Sequence, residues 1–307
     1  MTAAEISAQR NRSIGLALGL AAFLSWGLFP LYFRAVEAVE VLELLAHRIV
    51  WAAVFLAPLV IYAKGYGPIR DALRQRRTVL LLTGSTILIT LNWLIFIIAI
   101  VTERLLEASL GYYLNPLVSV LLGMVFLGER LGRLRWIGIA VAAVGVVNLA
   151  AQNDGFPWIS LGLALCFGFY GLLRKQMALG ARDGLFLETL LLFLPALLYL
   201  IWVQVQGQSL FLSGYSLRLD LLLLAAGAVT ALPLMWFAGA ARRLELGTVG
   251  VMQYITPSLQ FLLAVLAFGE AFTTAHAITF ACIWLGVGFF TTGSLLEGRR
   301  AAPAKAG

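Results

Sequence analysis

The chain has 307 residues, 61% hydrophobic and 12% charged, with a formal net charge of +7 and a mean hydropathy of +0.93. Such a composition cannot cover a soluble domain with polar surface, and it defines an integral membrane protein. The positive balance does not call for nucleic acid, because the basic residues sit in short clusters between apolar runs.

Ten runs follow in chain order, each near the ~20 residues that a bilayer requires. They are Ile14–Phe33, Leu42–Tyr62, Val79–Ile100, Ala108–Leu127, Trp136–Ala150, Pro157–Leu173, Leu185–Val205, Leu219–Ala240, Thr248–Phe268 and Ala275–Leu295. The fifth and sixth are short. The first run follows Arg10 and Arg12 without a small-residue cleavage pattern, so it is expected to be a retained span rather than a removed signal peptide. Cys166 and Cys282 both lie inside apolar runs, which suggests small buried hydrophobes and no disulfide framework or metal site.

The connections set the orientation. With a cytoplasmic N-terminus, 18 Lys and Arg residues fall on the inside and only Arg34, Arg104 and Arg218 on the outside, with Arg48 left within a span. That asymmetry places both termini in the cytoplasm.

A repeat organises the chain. The run SLGYYLNPLVSVLLGMVFLGE, Ser109 to Glu129, returns as GVMQYITPSLQFLLAVLAFGE, Gly250 to Glu270, so Tyr113 answers to Tyr254 and Asn115-Pro116 to Thr256-Pro257 at an offset of 141. The same offset takes Trp26-Gly27 to Phe167-Gly168, Asn92 to Pro233 and Phe96 to Phe237. Five spans separate each element from its copy, and an odd number turns the second half upside down. The expected fold is therefore all-α, ten transmembrane helices as two inverted five-helix repeats, residues 14–150 and 157–295. Inverted repeats around a midplane site are the architecture of many secondary transporters.

Polar residues inside the runs carry the chemistry. Tyr112, Asn115 and Ser119 stand at i, i+3 and i+7 on one face of the fourth span, and their copies Gln253, Thr256 and Gln260 are polar as well. The paired stripes suggest a shared solute path; taken singly, each residue could equally bond a neighbouring helix. Pro116 and Pro257 are expected to free a carbonyl one turn upstream and to bend their helices as gates. Trp26, Asn92, Trp93, Phe96, Tyr113, Phe169, Tyr170, Trp236 and Tyr254 fall within spans and are candidates for the walls of a cavity suited to amphipathic or aromatic cargo. Glu43, His47 and Arg48 cluster in the second span, and His47 maps onto Glu188 in the seventh. Proton coupling through these groups is one reading; Arg48 paired with Glu43 or reaching towards the interface is the other.

Several of these runs, LSWGLFPLYF (Leu24 to Phe33), ELLAHRIVW (Glu43 to Trp51), NWLIF (Asn92 to Phe96), Leu106 to Glu129 and QYITP (Gln253 to Pro257), resemble RarD-type members of the EamA family in the drug/metabolite transporter superfamily. The likeness extends from about Ile14 to Leu295. It implies ten helices in two inverted repeats, a cavity lined by spans one, three, four, six, eight and nine, and permeation or efflux of small organic molecules, with no cofactor. No substrate is carried over from it. Neither a Walker-type phosphate loop nor an HExxH or GxSxG pattern is present, which argues against a primary pump and against an intramembrane enzyme. A non-transporting membrane subunit that binds partner proteins is the contrasting reading.

Overall fold

A backbone that crosses lipid must satisfy its own hydrogen bonds, so long apolar runs fold as helices. The computed structural model describes residues 3–62, 66–127, 132–152, 156–177, 179–241, 243–244, 249 and 252–301. Within helices, the side chains of 3–8, 66, 68, 116, 119, 120, 123, 127, 149, 150, 152, 181 and 294–301 also lie outside the description.

All regular structure among the described residues is helical. The elements are α1 (Ala3–Ala35), α2 (Val41–Tyr62), α3 (Tyr66–Arg74), α4 (Arg76–Val101), α5 (Leu105–Leu127) and α6 (Arg133–Gln152). They continue with α7 (Trp158–Lys175), α8 (Ala181–Val205), α9 (Leu217–Ala241), α10 (Ile255–Leu262), which runs into a π turn at Leu263–Ala267, and α11 (Thr274–Ala301). Among the described residues six helices are long and apolar enough to cross a membrane: α1, α2, α4, α8, α9 and α11. Side chains such as Leu24, Leu28 and Leu31 on α1, or Leu194, Leu198 and Ile201 on α8, stay exposed as a lipid-facing surface requires.

Two elements differ from the sequence expectation. The connection after the second span contains α3, a short helix whose Ala72 is buried in one cluster with Leu82, Met177 and Leu187. The ninth span is not one helix. Gln253 and Tyr254 form a turn, α10 starts at Ile255, and Pro257 sits in its first turn. A proline there sacrifices no helical hydrogen bond, because first-turn amides have no partner within the helix. Its counterpart Pro116 lies in the unbroken backbone of α5, and its side chain is outside the described residues. The two prolines therefore act differently: one opens a helix and the other sits inside one.

Helix packing follows the 141-residue offset. The helices α2 and α8, α5 and α10, and α6 and α11 are offset partners, and each pair is in contact. The remaining large contacts come in exchanged sets: α5 with α7 and α10 with α1, α4 with α7 and α9 with α1, α2 with α9 and α8 with α4. Glycines permit the closest approaches. A Cβ at Gly138 would collide with the carbonyl of Gly286, and one at Gly145 would stand 3.0 Å from the carbonyl of Thr279. Adding 141 to 138 and 145 gives 279 and 286, so the same two contacts recur with the halves exchanged. Between α2 and α9 a Cβ at Gly227 would overlap the carbonyl of Trp51. Small residues let backbones touch where lipid supplies no hydrophobic drive between helices.

One end of the bundle is latched. Gly269, at φ +70°, turns the chain after the π segment, and the Glu270 carboxylate accepts the amides of Leu105 (2.6 Å) and Leu106 (2.9 Å) at the start of α5. Two otherwise unpartnered helix amides are thereby satisfied from the opposite half. Beside it Arg34 meets Glu103 at 3.4 Å and lies over the Phe268 ring at 5.6 Å.

Two expectations follow. Gly227→Ala should destabilise the fold by about 1–3 kcal/mol through overpacking, seen as a lower melting temperature with loss of the monodisperse peak on gel filtration. Burial raises the Glu270 pKa above its ordinary 4.5, against the opposing pull of the two amides. The latched state thus binds a proton more tightly than an open, hydrated one. Its extra stability is complete below pH 4.5 and lost as pH rises through the higher folded value. Melting curves taken across that range should show this dependence, and Glu270→Gln should flatten it.

Candidate functional site

Three buried polar groups lie inside the bundle. The first is built on Arg48, 3% exposed in the N-terminal half of α2. The neighbouring acid, Glu43, is already engaged, so Arg48 turns to other partners. Its guanidinium lies over the rings of Trp93 (4.6 Å) and Phe33 (5.0 Å), and Nε donates to Thr230 Oγ1 at 3.3 Å. Phe96 stands edge-on to both Phe33 (5.8 Å) and Tyr112 (5.5 Å), which extends the aromatic wall from α1 across α4 to α5. The hydroxyls of Tyr32 and Tyr112 are in electrostatic reach of the charge. Nη1 has no hydrogen-bond partner among the described residues.

The energies are comparable. An arginine at the centre of a membrane helix costs about 2.5–3.5 kcal/mol or more. Two ring faces return roughly 0.5–2 kcal/mol each. One long hydrogen bond adds at most a few kcal/mol. Arg48 is thus tolerated, yet one arm of its fork is left unused.

The second group is Glu43, His47, Trp51 and Ser209. Glu43 and His47 are each 1% exposed. Ser209, in the connection between α8 and α9, donates to Glu43 Oε1 at 2.5 Å. Trp51 Nε1 donates to His47 Nδ1 at 3.0 Å, so a neutral ring carries its proton on Nε2. That nitrogen stands 3.8 Å from Glu43 Oε1 without a hydrogen bond, and the Phe211 ring closes the pocket at 4.7 Å from the imidazole.

The third group is centred on Glu188 of α8, also 1% exposed. It accepts from Ser85 Oγ at 2.7 Å and from the Tyr170 hydroxyl at 3.3 Å, with Arg174 Nη1 at 3.9 Å. Arg174 occupies the space that Gly184 leaves and anchors itself on the carbonyl of Gly180 at 2.9 Å. Glu188 also lines a narrow crevice, without room for a water molecule, together with Ile49, Ile89, Thr90, Thr189, Leu192 and the Trp93 of the first group.

The other expected residues occupy helix contacts. Asn92 donates to Leu163 O at 3.1 Å, Thr256 to Phe23 O at 2.9 Å and Gln260 Nε2 to Trp26 O at 3.2 Å. Tyr113 shares a 2.6 Å hydrogen bond with Ser258 and stacks on Tyr254 at 6.1 Å. Trp26 packs on Phe23 and Phe237, and Phe169 on Phe126. Trp236 on α9 and Gln253 in the turn before α10 are half-buried. Asn115 is buried with its Oδ1 unpartnered among the described residues, as is Oε1 of Gln260. The side chain of Ser119 lies outside the described residues.

Sequence reasoning did not single out Phe33, Ser85, Thr230, Ser209 or Arg174. Ser85 had a signal, since it stands seven residues before Asn92 on the same helical face. The others had none: Ser209 is in a connection, and the remainder meet their partners only through helix packing.

The family model for the EamA-like transporter family matches residues 13–150. An uncharacterized transporter of Vibrio cholerae is 46% identical over 298 residues, covering 97% of this chain and 98% of that protein. Protein RarD of Escherichia coli is 40% identical over 286 residues, covering 93% and 96%. A crystal structure at 24% identity and a TM-score of 0.56 spans 92% of this chain and 98% of its own, and shares the fold. Identity at this level over nearly the whole length leaves one assignment: the chain belongs to the EamA-like transporter family as a RarD-type member.

Proposed function

We propose that this membrane transporter moves small organic solutes by alternating access, without nucleotide hydrolysis, around a cavity between two inverted five-helix repeats, 14–150 and 157–295. The cargo classes that fit are metabolites, amino acids and amphiphilic drugs. The observation that carries the reading is the convergence of Arg48, Glu188 and the Glu43–His47 pair inside a bundle whose outer surface is apolar. Ionisable groups are expensive there and mark solute or proton paths. The exchanged helix contacts and the reciprocal glycine contacts support the two-repeat architecture. The latch at Glu270 supports one closed gate, with the break before α10 as the place where the second half can move. The count of basic residues supports cytoplasmic termini in an inner-membrane protein.

Proton coupling is part of the proposal. Glu188 and His47 are offset partners, each buried and each held by hydroxyl or indole donors. Counterflow in proteoliposomes needs no net proton movement, whereas accumulation against a gradient does. The double variant His47→Ala, Glu188→Gln should therefore retain counterflow and lose pH-driven accumulation by about tenfold or more. Unchanged accumulation would remove these groups from the coupling step. Asn115→Ala and Gln253→Ala should weaken solute affinity several-fold, roughly 1 kcal/mol each, while Leu194→Ala on the lipid face should not; saturation curves for exchange decide this, and equal effects would remove the two residues from the cavity.

A further inference from the structure

Arg48 has an unused valence, and its position limits what can fill it. The Nη1 atom is buried and unpartnered among the described residues, while Nε is fixed by Thr230 and the guanidinium carbon lies over the rings of Phe33 and Trp93. The outer nitrogens are what is left to bind. An edge-on guanidinium fork matches the two oxygens of a carboxylate. The two acids nearest along the helices are committed: Glu43 to Ser209 and His47, Glu188 to Ser85, Tyr170 and Arg174. The repeat places no cation at the matching position: the offset partner of Arg48 is Thr189, whose hydroxyl bonds to its own helix at Leu185 O, and the nearby Arg174 stands beside Glu188. The site is thus built for one anionic group. Tyr112 joins the same wall, its ring 5.5 Å from Phe96, which in turn meets the Phe33 ring beneath the guanidinium, and its hydroxyl makes no hydrogen bond among the described residues, which gives a second donor. Phe96, edge-on to Tyr112 and Phe33, supplies an apolar surface beside it.

We infer that the cargo is a small organic anion, a monocarboxylate with an aromatic or apolar body, whose carboxylate is held by Arg48 and Tyr112 and whose body lies against the Phe33, Trp93 and Phe96 rings. This rests on the transport reading above and names the substrate class of the same site. Entry of the carboxylate would replace the missing hydrogen bond and neutralise a buried cation that has no acid beside it among the described residues. In the present state the crevice beside Trp93 is too narrow for such a body, so loading requires the rings to part.

The test uses the purified full-length chain and pairs of probes alike in shape but not in charge: benzoate with benzamide, and phenylacetate with phenylacetamide. Binding is read by thermal shift in detergent and transport by counterflow in proteoliposomes. The carboxylates should bind and exchange, and the amides should bind about tenfold or more weaker. Arg48→Gln should abolish that preference, Arg48→Lys should keep part of it, and Tyr112→Phe should weaken carboxylate binding several-fold with the amides unchanged. If Arg48→Gln does not fold, the charge preference of Arg48→Lys and Tyr112→Phe decides. Exchange of neutral or cationic solutes that carboxylates do not inhibit would overturn the anion site and leave the transport reading intact. Arg48-dependent carboxylate binding with no flux of any solute would uphold the anion site and overturn transport. A thermal shift with phosphatidylglycerol and none with the carboxylates would assign Arg48 to a lipid headgroup and overturn the proposal.

Discussion

The guanidinium of Arg48 lying over the rings of Trp93 and Phe33 is the interaction around which the interior is arranged. A permanent charge cannot be shed in this environment, because arginine stays protonated where a lysine would neutralise. It has to be enclosed by groups that accept its field. Ring faces from α1 and α4 do so while remaining apolar towards the rest of the core, and Thr230 from α9 reaches in from the other half. The position of three helices is tied in this way to one side chain of α2.

Close enclosure depends on backbones that can approach. Without a hydrophobic drive between helices, contact comes from small residues, and Gly227 against Trp51 brings α9 close enough to α2 for Thr230, one turn further on, to reach Arg48. The pair α6 and α11 repeats the device at Gly138, Gly145 and Gly286, away from the polar groups. Packing by glycine therefore serves two ends: it assembles the site in one place and joins the outlying helices in another.

The halves share a pattern and differ in chemistry. His47 and Glu188 are offset partners, yet one is held by an indole and the other by two hydroxyls and a nearby arginine. Phe33, which covers Arg48, corresponds to Arg174, which stands beside Glu188. Pro116 lies within α5 while Pro257 opens α10. At these offset-related positions the packing is kept while the charges differ, which leaves a cationic centre at Arg48 and an acidic centre at Glu188.

Hydropathy alone determined that the chain is a membrane protein of apolar helices, because the cost of burying backbone in lipid leaves few alternatives. The offset of 141 and the depth of Glu43, His47, Arg48 and Glu188 were equally plain, since each depends on counting along one strand of sequence. What Arg48 does was not legible. Its partners Phe33, Trp93 and Thr230 lie fifteen, forty-five and 182 residues away, and only tertiary packing brings them together. The break before α10 was hidden for a related reason: the run from Thr248 to Phe268 is long and mostly apolar despite its polar stripe, and hydropathy does not register where a helix stops. The polar stripes of Asn115 and of Gln260 were each readable as a face, but that Gln260 Nε2 is engaged by Trp26 O while Gln260 Oε1 and Asn115 Oδ1 are left open is decided by the neighbouring helices. Periodicity along a chain assigns faces, whereas partners are assigned by the contacts that those faces make across the bundle.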